Sequence, residues 1–127
     1  MTFGGFMAVG IGAALGAWLR WIFGIVLNPL FGSILLGTLT ANLVGGFLIG
    51  VAVEYFLHHD SVPPELRLFT IVGFLGGLTT FSSFSAEAVE LLADREFAWS
   101  FVLVASHLLG SLLMTYFGIL CVRLWNA

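Results

Sequence analysis

The sequence predicts an all-α membrane protein of four transmembrane helices, the third of them broken at mid-membrane. Three observations carry that expectation. The 127 residues are 60% hydrophobic and only 9% charged, where a soluble domain carries about 25% charged residues. The charges are also segregated, so that residues 1–19, 21–53, 68–86 and 97–122 contain no Asp, Glu, Lys or Arg. Crossing the hydrocarbon core takes about 20 mostly apolar residues, and the chain supplies four such stretches. The third stretch is anomalous, because Gly73–Ser85 fits three glycines and five hydroxyls into thirteen residues.

The chain forms a single transmembrane domain over residues 1–127. Its first span covers about residues 3–26 and is closed by Asn28-Pro29, a pair that ends a helix before the proline. The second covers about 32–57 and meets the polar run His58-His59-Asp60-Ser61. Pro63-Pro64 keeps the next connection irregular, and the third span covers about 68–92. The fourth covers about 99–125, with Trp99 and Trp125 bracketing it at a spacing that suits the two interfacial belts. Small residues recur at helical spacing: Ala8, Gly12 and Gly16; Gly37, Ala41 and Gly45, with Gly46 and Gly50 beside them; and Gly73 with Gly77. Such stripes let helix backbones approach where lipid removes the hydrophobic drive between helices. They do not explain Gly76-Gly77 running into Thr79-Thr80 and Ser82-Ser83. A discontinuous helix there exposes backbone carbonyls on one side and N–H groups on the other, inside protein or a water-filled cavity.

This composition excludes several function classes. A net charge of -3 without a basic stripe excludes nucleic-acid binding, and the scarcity of charge excludes a soluble enzyme. One cysteine, Cys121, supplies neither a disulfide framework nor a thiolate metal site. Met1–Leu19 lacks a basic opening and a small-residue cleavage site, so no cleavable signal peptide is expected. Orientation is left open by the charges. With the spans alternating, Arg67 and Arg123 fall on the side of the termini and Arg20 and Arg95 on the other. Two against two gives no basic bias, as expected of a chain that inserts both ways up, and also of one with too few arginines to decide.

Polar groups within the spans are functional candidates because burying them is expensive. Asn42 lies near the middle of the second span, with Thr38 one turn earlier. His107, Ser111 and Thr115 repeat at i, i+4 and i+8 along the fourth. Together with the hydroxyls of the third span, Ser82 and Ser83 among them, they form a narrow polar track; His107 fits that track or a helix–helix hydrogen bond. Phe81 and Phe84 flank hydroxyls, and an aromatic edge is the positive end of the ring quadrupole, which favours an anion. Arg20 adds positive potential at a mouth. No acid–base or nucleophilic constellation appears, so catalysis is not indicated.

The chain resembles the CrcB/Fluc family of fluoride channels. The matching pieces are Gly16-Ala-Trp-Leu-Arg20, Gly37-Thr-Leu-Thr-Ala-Asn42, the run Gly73–Ser85 and His107-Leu-Leu-Gly-Ser-Leu-Leu-Met-Thr115. The resemblance implies an antiparallel, dual-topology homodimer in the bacterial inner membrane, exporting fluoride down its electrochemical gradient and so limiting its toxicity in the cytoplasm. It implies a central sodium ion held by the backbone carbonyls of Gly76 and Thr79 from both subunits. It also implies Phe81 and Phe84 as pathway rings, Asn42 as pathway amide, Ser111 and Thr115 as polar track, and Arg20 near the entrance. The family's common Phe-Ser-Thr-Phe reads Phe81-Ser82-Ser83-Phe84 here, a change that spares the hydroxyl. Competing readings are a small multidrug-type antiparallel exporter, which needs a carboxylate inside the membrane, and a structural membrane subunit.

Overall fold

A computed structural model describes residues 2–127. Helix α1 spans Phe3–Leu27 and is capped by Thr2, whose hydroxyl oxygen accepts the Gly5 N–H at 3.0 Å. A 3-10 turn, Asn28–Leu30, follows. Helix α2 spans Leu36–Leu57, so Gly32–Leu35 stay outside the helix that the sequence reading began near residue 32. The reason lies in how its first N–H groups are satisfied. Asn28 Oδ1 accepts the Gly37 N–H at 2.8 Å, and the Glu87 carboxylate accepts the Leu35 N–H. A helix start capped from outside in this way needs no further turn before it.

The third crossing starts earlier than expected, at Pro64. Proline suits a first helical turn, where its missing N–H has no partner to lose. Helix α3, Pro64–Arg67, leads into a π-helical stretch, Leu68–Leu75, and then into α4, Gly76–Leu78. Thr79 (φ -83°, ψ 154°) and Thr80 (φ -152°, ψ 117°) are extended. Helix α5 resumes at Phe81 and runs to Ala93. A tight turn with Arg95 at φ 61° delivers the chain to α6, Phe97–Trp125, two residues ahead of the expected start. Four crossings result, Phe3–Leu30, Leu36–Leu57, Pro64–Ala93 and Phe97–Trp125, each long and apolar enough to span a bilayer.

Two seams hold these crossings together. Along the first, α1 lies on the π-helical stretch and α4. Gly16 faces the Phe74 carbonyl and the Leu78 N–H, while Gly73 and Gly77 face the carbonyls of Val9 and Ala13. Along the second, Gly50 of α2 faces the Thr115 carbonyl of α6, and Gly118 of α6 faces the Phe47 carbonyl of α2. A methyl group at any of these positions would overlap backbone. The predicted small-residue stripes therefore serve backbone contact. Leu75 and Leu78, with Ala41, make the buried centre, whereas Phe6, Trp18, Trp21 and Ile25 point outward. Such outward apolar cover suits lipid and not water.

The end that carries both termini is tied by charge. The Arg123 guanidinium meets the buried Glu54 carboxylate through Nε at 2.9 Å and Nη2 at 3.3 Å. Arg67 donates to the His59 carbonyl at 2.9 Å and lies over the Phe56 ring at 5.3 Å. At the opposite end Phe31 meets Trp99 edge-on, with centroids 5.5 Å apart.

A polar groove at a helix interruption

Asn42 of the second crossing holds the interruption at Thr79-Thr80. Asn42 Oδ1 accepts the Thr80 N–H at 2.8 Å, and Asn42 Nδ2 donates to the Thr80 carbonyl at 3.0 Å. Asn42 thus pairs with an extended residue as a neighbouring strand would. The Thr80 N–H can only donate, which fixes the amide orientation. Nδ2 then also donates to His107 Nδ1 at 3.0 Å. With Nδ1 accepting, the neutral ring carries its proton on Nε2. His107 is 3% exposed, and its buried Nε2 has no partner among the described residues.

The interruption strips helical donors from the four carbonyls of Gly76, Gly77, Leu78 and Thr79. In a continuous helix the Thr80 N–H would serve the Gly76 carbonyl, and the Ser83 N–H would serve that of Thr79. Here Thr80 gives its N–H to Asn42, and Ser83 gives its own to Thr80 Oγ1 at 3.1 Å. The same Thr80 oxygen caps α5. The carbonyl oxygens of Gly76 and Thr79, three residues apart in the chain, are thereby left without their helical donors. Thr79 itself turns its hydroxyl back onto the Leu75 carbonyl at 2.9 Å.

Beside the interruption lies an open groove of about 450 Å³. Asn42, Gly76, Thr79, Phe81, Phe84, Ser111 and Thr115 all line it, together with Thr80 and His107. Phe81 and Phe84 meet edge-on, with centroids 5.4 Å apart at 73°, and Phe84 stacks on His107 at 4.6 Å. Thr115 Oγ1 donates to the Ser111 carbonyl at 2.9 Å, while the Ser111 hydroxyl has no protein partner among the described residues. Ser82 and Ser83 are not in the groove wall; their hydroxyls lie 3.1 and 3.2 Å from Thr80 Oγ1. Arg20 is not in the wall either, and its Nε donates to the Gly77 carbonyl at 3.1 Å.

Two features exceed the sequence reading. Asn42 was legible as a polar residue in a span, but its reciprocal bond to Thr80 was not, because nothing local links residues 42 and 80. His107 makes the helix–helix hydrogen bond of the two roles left open for it, through Nδ1 to Asn42, while its Nε2 is buried without a partner among the described residues.

The family model described as CrcB-like protein, Camphor Resistance (CrcB), matches residues 7–119. The chain belongs to the CrcB family. A relative from Nitrosospira multiformis is 65% identical over 120 residues, covering 94% of this chain and 93% of its own. One from Cupriavidus metallidurans is 55% identical, covering 91% of each chain. A third, from Ralstonia nicotianae, is 54% identical, covering 94% of each. All three are named fluoride-specific ion channel FluC. Like them, this CrcB chain is a multi-pass bacterial membrane protein.

Proposed function

We propose that this chain is a fluoride-selective ion channel that lets fluoride leave the cytoplasm down its electrochemical gradient. The observation that carries the reading is the groove at the Thr79-Thr80 interruption, which Phe81, Phe84 and hydrogen-bonding side chains line without a carboxylate. Fluoride is small and tightly hydrated, so its path needs donors close enough to replace water and sites weak enough to release it. The edges of Phe81 and Phe84 and the Ser111 hydroxyl would supply such a succession. The two Asn42 amide hydrogens are held by Thr80 and His107. Asn42 therefore serves the path by holding its wall, and an ion would draw on its amide by competing with those bonds.

The working unit is an antiparallel homodimer of dual topology in the inner membrane, its third helix broken at mid-membrane. Phe81 is 77% exposed, and a second copy would close that side of the groove. The carbonyls of Gly76 and Thr79, freed of helical donors, would hold a sodium ion where the two copies meet. Bound there, the ion would raise the positive potential that an anion senses. Among the described residues, no group of three or more His, Cys, Asp or Glu is placed to hold a metal. The multidrug-type alternative needs a carboxylate on the path. Glu54 is instead paired with Arg123 and Glu87 holds the Leu35 N–H, and neither lines the groove.

The test is the purified chain in liposomes loaded with fluoride or chloride, with efflux followed by ion-selective electrodes. Fluoride efflux with chloride retained is expected; retention of both ions, or equal loss of both, overturns the reading.

A further inference from the structure

Arg20 is a charged residue well inside a helix that crosses the membrane. It precedes the end of α1 at Leu27 by about two turns, or about 10 Å. It forms no ion pair among the described residues. Its one protein hydrogen bond among them runs from Nε to the Gly77 carbonyl at 3.1 Å. That carbonyl belongs to the last turn before the interruption. In a continuous helix it would take the Phe81 N–H, but two extended residues now stand between them. The end of a helix leaves such carbonyls without donors, and an arginine side chain there both donates to them and suits the negative end of the helix dipole.

The sequence on α1 explains how the side chain gets there. Gly16 lies against the Phe74 carbonyl and the Leu78 N–H, so the two backbones touch. One turn later the same face of α1 carries Arg20, now within reach of Gly77. The spacing Gly16-Ala-Trp-Leu-Arg20 thus couples a close approach to a donor placed four residues on.

We infer that Arg20 is a positioning residue: its Nε–H caps the Gly77 carbonyl and so fixes the end of α4 at the interruption. The consequence for the cation site rests on the channel reading. Gly76 and Gly77 are adjacent carbonyls at one helix end; Arg20 takes Gly77 and leaves Gly76 free for an ion. Positive charge near the path then comes as an accompaniment to the cap.

Three substitutions separate donor from charge. Glutamine carries its Nε2 the same number of bonds from Cα as the arginine Nε, without charge. Lysine keeps the charge but moves the nitrogen one bond further out. Methionine keeps length and has neither. Amide exchange of residues 78–83 is measured by mass spectrometry on the full-length protein in nanodiscs, at low and high salt. Arg20→Met is expected to speed exchange about tenfold, as the loss of a charge-assisted hydrogen bond implies, while Arg20→Gln stays near the parent at both salts. Exchange in Arg20→Gln as fast as in Arg20→Met, or Arg20→Met unchanged, overturns the inference. If Arg20→Met fails to fold, the Gln and Lys variants decide: protection kept by Lys and lost by Gln assigns the role to charge and overturns it. A second readout is the rise in thermal midpoint on adding sodium, expected to survive in Arg20→Gln and to shrink in the Lys variant. A rise kept by Lys and lost by Gln overturns the cap. Amide exchange reads the cap whether or not the parent conducts fluoride, so the two readings fail separately.

Discussion

The α2–α6 seam and the Thr79-Thr80 interruption both bring backbone into the interior, and they treat it in opposite ways. At the seam, Gly50 and Gly118 let each helix lie on the other's carbonyls while both helices remain continuous. The backbone is close but chemically spent. At the interruption, side chains of Asn42 and Thr80 take over N–H groups that belong to the helix, so the carbonyls of Gly76 and Thr79 lose their donors. Here the backbone is open to a ligand. Glycine enrichment alone does not separate the two cases; what separates them is the presence of side chains able to capture the released N–H groups.

The largest expected effect belongs to the seam. Gly50→Ala puts a methyl group onto the Thr115 carbonyl, and because backbone cannot yield as a flexible side chain does, overpacking costs about 1–3 kcal/mol or more. Size-exclusion chromatography and thermal unfolding in detergent should show a lower midpoint and loss of a defined assembly. An unchanged profile would mean that the helices separate freely, and the seam would no longer contrast with the interruption.

The next effect is on flux without loss of fold. Phe81→Ile and Phe84→Ile keep apolar bulk and remove the aromatic edge. Fluoride efflux should fall by at least about tenfold, which corresponds to about 1.4 kcal/mol in a barrier, with assembly unchanged. Near-normal flux would make both rings packing residues. A smaller effect is expected at Thr79, whose proposed ligand is its carbonyl. Thr79→Ser keeps the hydroxyl that bonds the Leu75 carbonyl and loses only the methyl packed against Gly45; it should conduct within about threefold of the parent, since one buried methyl is worth about 0.8 kcal/mol. The smallest effect is at Gly10, where an added methyl group meets nothing within 4 Å. Gly10→Ala should leave assembly and flux unchanged, which separates seam glycines from those that merely face lipid.

Much of the architecture was legible because the bilayer imposes a length and a composition on each crossing. Residues 21–53 and 97–122 announce themselves by lacking charge. Helix starts were less legible because they depend on partners distant in sequence, as when Glu87 takes the Leu35 N–H and moves the start of α2 to Leu36. At the site, the stripe His107, Ser111 and Thr115 could be read from helical periodicity, and it does line the groove. The Asn42–Thr80 pairing and the reach of Arg20 to Gly77 could not be read in the same way. Each joins residues on different crossings, and a single sequence carries no signal of that pairing.

The central claim is that Asn42 holds open the interruption on which conduction depends. Asn42→Asp tests it most directly, because the carboxylate can still accept the Thr80 N–H but can no longer donate to the Thr80 carbonyl or to His107. It also places negative charge beside an anion's path, where screening is poor. The measurement is fluoride efflux from liposomes holding parent or variant at matched protein content and matched size-exclusion profile. The account predicts efflux near the protein-free background for the variant while the parent empties the vesicles; efflux from the variant at the parent's rate would contradict it.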